Sequence, residues 1–189
     1  IWQWRTNRTT PLFILPHSQP VNSVAFSPDG KILVTGCDDA TAQRWDTTTG
    51  KLLRTLKGHT GSVLKAVFDR YGQVVATASF DKTIRLWVVA TGKHLRTLTG
   101  HTGPVRDIAF GLYSKVVASA STGGKSWNLV RGSQFDFWKQ TASVNSVAFG
   151  PHGVLLVAGF SDHKLRSYNA IDLDVFSHQF SLVTYQQSY

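Results

Sequence analysis

Aromatic residues recur along this chain at a nearly constant step, and that step limits the fold more than any other feature. Tryptophans stand at Trp4, Trp45, Trp87 and Trp127, with Tyr168 next in line, so the steps are 41, 42, 40 and 41 residues. Two further markers keep the same ruler. The hexapeptide "VNSVAF" occurs at 21–26 and 144–149, an offset of 123, and "LRTL" at 53–56 and 95–98, an offset of 42. Self-similarity at such a period is the mark of a stacked-repeat architecture.

Each period has the same internal order. An apolar segment opens it: "VNSVAF" (21–26), "VLKAVF" (63–68), "VRDIAF" (105–110) and "VNSVAF" (144–149). A turn follows, "SPDGK", "DRYGQ", "GLYSK" or "GPHGV", in which Gly and Asp supply backbone freedom. Small, β-rich runs come next ("ILVTG", "VVATAS", "VVASAS", "LLVAG"), then a second tight turn and a run ending in the aromatic. "KLLRTL" (51–56) and "KHLRTL" (93–98) close the first two units. No segment carries the 3.6-residue spacing of a helix. The pattern predicts four short strands per unit. Val63, Lys65 and Val67 alternate with Leu64, Ala66 and Phe68, so both faces of the sheet carry apolar residues. Such a sheet needs a neighbour on each side, which stacked repeats provide.

With 42% apolar and 16% charged residues, the chain can build a core and is too apolar for disorder. No apolar run reaches the ~20 residues of a membrane-spanning helix. Cys37 is the single cysteine, which excludes an intrachain disulfide and leans towards a reducing, intracellular compartment, cytoplasmic or nuclear. The net charge of +9 favours acidic partners. The chain begins at Ile1 and has no Met, which reads as a processed product or an internal piece.

On these residues the chain resembles the WD-repeat (WD40) family of β-propellers. Its best unit is "GHTGSVLKAVFDRYGQVVATASFDKTIRLW" (58–87), and the literal Trp-Asp pair stands at Trp45-Asp46. The resemblance implies an all-β, WD40 β-propeller fold with about four complete four-stranded blades and partial ones at each end. The expected division is the end of a preceding repeat at 1–16, repeats at 17–57 and 58–99, degenerate repeats at 100–139 and 140–180, and a tail or next repeat at 181–189. In the first of these, "PLFIL" (11–15) falls where a fourth strand belongs. Propellers close with ~4–8 blades and the family commonly has about seven, so the array reads as part of a larger propeller.

The resemblance also implies a structural tetrad in each blade: a His before the first strand, a Ser or Thr on the second, an Asp in the second turn, and the Trp. The matching residues are His59, Thr77 or Ser79, Asp81 and Trp87 in the second unit, and His17, Thr35, Asp39 and Trp45 in the first. The third unit keeps His101 and Trp127 but has no Asp in "STGGKSW"; the fourth has Gln140 and Tyr168 in the His and Trp places and keeps Asp162. These two units are expected to lack the full network.

His59, Ser79 and Asp81 are also the ingredients of a hydrolytic triad. Ser79 lies inside the strand run "ATAS" without the turn that would expose a nucleophile, and the same residue types recur at the blade period, so the structural reading is preferred. The seven histidines show no helical i,i+4 pair and there is no CxxC, so neither a metal nor another cofactor is expected. "TGGK" (122–125) and "TTTGK" (47–51) do not complete a phosphate-binding loop.

What remains is binding. In the family, partners dock on the face around the central channel. The matching positions are Asn22, Leu64, Arg106 and Asn145 on the first strands, and Asp38, Phe80 and Ser161 before the turn Asp. Phe80 is the preferred anchor and Arg106 its polar complement. The expectation is a non-catalytic scaffold within a larger complex, taking protein or peptide partners, acidic ones favoured by the charge. Two alternatives stay open: a regulatory propeller segment of a multidomain kinase or NTPase whose catalytic part lies outside this chain, and RNA or polyanion binding, which no motif supports.

Overall fold

The computed structural model describes residues 11–130, 134–136 and 142–169. Every regular element among them is a strand, apart from one short 3-10 turn at Leu112–Ser114. The strands make separate antiparallel sheets in which each strand pairs with its neighbour in sequence. The first sheet is β1 (Val21–Phe26), β2 (Ile32–Cys37), β3 (Thr41–Asp46) and β4 (Leu52–Lys57). The second is β5 (Val63–Phe68), β6 (Val74–Ser79), β7 (Ile84–Val88) and β8 (His94–Leu98). The third is β9 (Asp107–Gly111), β10 (Val116–Ala120), β11 (Lys125–Asn128) and β12 (Gln134–Asp136). The fourth is β13 (Val144–Phe149), β14 (Leu155–Phe160) and β15 (Leu165–Asn169). Two compact units emerge, Ile1–Gly100 with the first two sheets and His101–Tyr189 with the others. Residues 11–15, expected to form a strand, form none. Trp4, Gln140 and the tail at 181–189 lie outside the described residues.

Turn chemistry explains why the hairpins close where they do. Gly30, Gly72 and Gly153 take φ of +71°, +67° and +67° in the first turn of their units. The third repeat has no glycine at that position, so Tyr113 and Ser114 are forced to φ of +51° and +62°. The second turn uses a different device. Ala40, Lys82 and His163 all have positive φ, a conformation that side chains with a Cβ adopt rarely. Each follows an Asp whose Oδ1 accepts the backbone N–H two residues on: Thr41 at 3.0 Å, Thr83 at 2.9 Å and Lys164 at 3.2 Å. That Asx-type closure supports the strained residue between them.

Within the first unit the second sheet lays one face, here called its leading face, on the trailing face of the first. Val63, Ala66, Val75 and Trp87 of the second sheet join Val34, Ala42 and Leu56 of the first in one buried cluster, with Ala25, Ile32 and Phe68 packed at its margin. A polar stitch sits in the seam, where the Ala66 amide donates to Ser23 Oγ at 3.1 Å. The second unit repeats the arrangement. Ala118 and Ala120 meet Val144, Val147 and Leu156, and the Val147 amide donates to Asp107 Oδ2 at 3.0 Å. Small residues let these sheets approach: a Cβ on Gly36 would stand 2.8 Å from Val63 Cγ1 and 3.1 Å from the Val63 carbonyl oxygen. Gly36→Ala is therefore expected to cost about 1–3 kcal/mol by overpacking, read as a lower midpoint in denaturant unfolding with an unchanged m-value.

Candidate functional site

The sequence nominates two groups of residues, and the structure places them differently: one inside the sheets, one at the strand ends.

The inner group is a hydrogen-bond chain in the second sheet. Trp87 Nε1 donates to Thr77 Oγ1 at 2.9 Å; Thr77 Oγ1 lies 2.8 Å from His59 Nε2; His59 Nδ1 lies 2.7 Å from Asp81 Oδ2. Beside a carboxylate, Nδ1 carries the proton, so Nε2 accepts from the threonine hydroxyl. Every bond then points the same way, from indole to carboxylate. Burial pushes the His59 pKa down, and Asp81 only partly reverses it, so the ring is held neutral. Burial works against the Asp81 carboxylate too, but bonds from Thr83, His59 and the Thr60 amide outweigh it and hold the pKa at about 2. The pair is a neutral imidazole bonded to a carboxylate.

Ser79 is outside this chain. It is fully buried, and its hydroxyl donates to the Gly61 carbonyl at 2.8 Å, bracing the loop before β5. Thr77 occupies the place for which both had been candidates. With Ser79 sealed in this way, His59, Ser79 and Asp81 have no exposed nucleophile to share. The Cys37 thiol is equally inert, since burial and the nearby Asp39 push its pKa up to about 11. Among the described residues no group of three or more His, Cys, Asp or Glu is placed to hold a metal ion.

The other sheets vary the theme. In the first, His17 Nε2 lies 2.8 Å from Thr35 Oγ1, and Trp45 Nε1 donates to the same hydroxyl at 3.2 Å. The expected His17–Asp39 link is absent: His17 Nδ1 bonds the Leu15 carbonyl at 2.9 Å, and Asp39 Oδ2 accepts from Ser18 Oγ at 2.8 Å instead. In the third, His101 Nε2 lies 2.7 Å from Ser119 Oγ, which also accepts Trp127 Nε1 at 2.9 Å. With Gly123 where the Asp would be, burial and the nearby Lys125 push the His101 pKa down to about 4. In the fourth, Ala158 offers no hydroxyl, and Asp162 pairs with Arg166 through both carboxylate oxygens at 3.1 and 2.6 Å.

The strand-end group is positioned by β-bulges. The pairing of β1 with β2, β5 with β6 and β13 with β14 slips between Val21 and Ser23, Val63 and Lys65, and Val144 and Ser146. Asn22, Leu64 and Asn145 are the extra residues, and a bulge re-aims the side chain it carries. Opposite each stands the residue before the turn Asp, tied by its amide: Asp38 to the Pro20 carbonyl at 3.0 Å, Phe80 to Ser62 at 2.9 Å and Ser161 to Ser143 at 2.9 Å. Phe80 is 60% exposed, an aromatic ring in water at the end of its sheet. Leu64 is half-buried, and Arg106, Asn145 and Ser161 are exposed. Asn22 and Asp38 are engaged with each other at 2.7 Å, and Asn22 also donates to the Val63 carbonyl at 3.2 Å. They act there as a brace between the first two sheets. Arg106, Asn145 and Ser161 belong to the second unit.

Sequence reasoning missed the seam acceptors Ser23 and Asp107 and the bulges themselves. A signal was present: the third residue of the opening hexapeptide is polar in all four repeats, as Ser23, Lys65, Asp107 and Ser146.

Comparison with known proteins agrees with this geometry. The family model "WD domain, G-beta repeat" matches residues 9–46, 50–88, 92–125 and 133–169. The chain is 41% identical over 61 residues to the nuclear distribution protein PAC1 of Tuber melanosporum, a match covering 32% of this chain and 14% of that protein. It is 40% identical over 63 residues to the periodic tryptophan protein 2 homolog of Dictyostelium discoideum, covering 33% of this chain and 7% of that one. The matches thus span a small fraction of these relatives. Among solved structures, the computationally designed Ika4 protein superposes with a TM-score of 0.72 and 27% identity, over 82% of this chain and 93% of that one. U3-55K superposes with a TM-score of 0.73 at 22% identity, over 82% of this chain and 50% of that one, a likeness of fold alone.

Two measurements check the inner network. Thr77→Val strands the Trp87 N–H and His59 Nε2 at roughly 1–3 kcal/mol per group, so unfolding by denaturant is expected to lose about 2–6 kcal/mol. The second is a pH profile. His101 binds its proton at about 4 when folded and near its ordinary 6.5 when unfolded. Between those values the unfolded chain holds more protons, so stability falls as pH drops through that window. His101→Gln is expected to flatten part of that slope, the remainder belonging to His59. Asp81 adds a lower window, in which stability present above its ordinary 3.8 is lost as pH falls towards about 2.

Proposed function

We propose, from the premise that the chain belongs to the WD40 repeat family, that it is a non-catalytic scaffold holding a protein or peptide partner at its strand ends, with Phe80 as the apolar anchor. WD40 repeats serve generally as interaction platforms, and the chemistry at the sheet ends suits that role.

The observation that carries this reading is the contrast between Phe80's side chain and its backbone. The ring is 60% exposed. Its amide is bonded to Ser62 at 2.9 Å, and the next amide, Asp81, donates to Ser79 Oγ at 3.0 Å. Asp81 in turn is held by His59, Thr60 and Thr83. An exposed aromatic on a fixed turn loses little entropy when a partner covers it, which makes it a preorganised anchor. Leu64, on the bulge opposite, adds apolar surface. The net charge of +9 favours an acidic partner and a faster encounter with it. The compartment proposed is intracellular.

Phe80→Ala is expected to weaken capture of the partner by a factor of about 30 or more, the scale of a hot spot worth ~2 kcal/mol. Its thermal melt is expected to stay within ~0.5 kcal/mol of wild type. Quantitative pull-downs from cell extract with both proteins make the comparison; identical partner sets at equal yield would remove Phe80 as the anchor. Retention on a heparin column above ~0.3 M salt, with a steep salt dependence, would favour the polyanion reading instead.

A further inference from the structure

The two seams inside the units set out, position by position, what a leading face and a trailing face require. Among the described residues, β1 on a leading face and the fourth sheet on a trailing face carry exposed apolar side chains, and the two match.

The exposed part of that leading face is β1, while Leu33 and Trp45, the counterparts of Val75 and Trp87, are buried beside it at 5% and 2% exposure. Val21 is 41% exposed and Val24 65%, whereas their counterparts in the buried seams are Val63 and Ala66 at 0%, and Val144 and Val147 at 0% and 5%. Phe26 is 54% exposed, and its counterparts Phe68 and Phe149 pack against seam clusters. The uncovered trailing face is that of the fourth sheet. Leu165 is 73% exposed where its counterpart Ala42 is 1%. Leu155 is 49% exposed where Ile32 packs against the seam cluster. A Cβ on Gly159 would meet nothing within 4 Å, whereas one on its counterpart Gly36 would strike Val63. The polar stitch is matched as well. Ser146 stands at the position of Ser23 and Asp107 and is exposed, and Val24 stands at the position of Ala66 and Val147, the residues whose amides those acceptors receive.

We infer that β1 of one copy docks on the fourth sheet of a second copy, reproducing the internal seam between molecules. Val24 and Phe26 cover Gly159, Leu155 and Leu165, and the Val24 amide donates to Ser146 Oγ. The occupant is a second copy because this chain itself carries the complementary face, with its apolar positions and its hydrogen-bond acceptor in the same register. The contact joins unlike faces, so it is heterologous and builds closed rings or open chains of copies. It uses strand faces and leaves the Phe80 end of the second sheet untouched. Its failure and the failure of the Phe80 reading are therefore separate results.

The test is light scattering on the full chain over a wide concentration range, with two variants. Val24→Asp combined with Phe26→Asp spoils the leading face, and Leu165→Asp spoils the trailing face. Wild type is expected at twice the monomer mass or more, and each variant at the monomer mass. An equimolar mixture of the variants is expected to regain a two-copy species, because one supplies an intact trailing face and the other an intact leading face. Near-ultraviolet circular dichroism of the tryptophans checks that the variants stay folded. A monomeric wild type overturns the inference, and so do folded variants that keep the wild-type mass or a mixture of folded variants that stays monomeric. A foreign repeat, or the chain's own residues, covering these faces would appear as the first of these outcomes.

Discussion

A sheet of three or four short strands has two faces to cover, and this chain has no helix among its described residues to cover either. That constraint organises everything else. Each sheet must offer a trailing face small enough for its neighbour to approach and a leading face bulky enough to fill the gap. The chain meets the first need with Val34, Gly36 and Ala42, and with Ala118 and Ala120 in the second unit. It meets the second with Val63, Ala66 and Trp87, and with Val144, Val147 and Phe160. Alternation along the strand assigns the two sets, so one chain segment contributes to two seams at once.

The hydrogen-bond networks follow from the same constraint. A Trp on a buried face needs a partner for its N–H, and a Thr or Ser on the adjoining strand is the nearest acceptor the register supplies. A hydroxyl that accepts must also donate, so a neutral His is the natural next member. What lies beyond the His varies, because any acceptor satisfies Nδ1. The second sheet uses Asp81 and the first uses the Leu15 carbonyl. The Asp is present in three of the repeats for another reason. Its Oδ1 closes the turn in each, while its Oδ2 turns to His59 in the second sheet, Ser18 in the first and Arg166 in the fourth, where the guanidinium reaches Oδ1 as well.

This explains what the sequence could and could not convey. The period and the strand order were legible because packing imposes them at every repeat. The spacing from His17 to Trp45 equals that from His59 to Trp87, 28 residues in each, yet the first pair sends Nδ1 to a carbonyl and the second to a carboxylate. Spacing reports which residues share a sheet end; it is silent on which lone pair a ring nitrogen faces, which depends on how residues 15–18 approach β1. Thr77 and Ser79 could not be separated by composition either, since both are small hydroxyl residues two apart on one strand. The seam acceptors were invisible for a related reason. Ser23 and Asp107 do the same job with different side chains, so residue identity does not repeat although geometry does.

The bulge at the start of the first strands resolves a conflict that regular alternation would leave standing. In β5, Val63 and Ala66 both belong to the leading face, although strict alternation would set residues three apart on opposite faces. The extra residue between Val63 and Lys65 restores the phase. It also gives Leu64 a direction of its own, beside the turn that carries Phe80. The first and fourth sheets repeat the device at Asn22 and Asn145. Packing and recognition can therefore be varied independently on one strand. The bulge residue changes from Asn to Leu to Asn without disturbing the seam, and the residue facing it changes from Asp38 to Phe80 to Ser161 while its amide keeps the same bond. A surface whose backbone is fixed and whose side chains are free to differ is what a scaffold needs to acquire a partner without losing its fold.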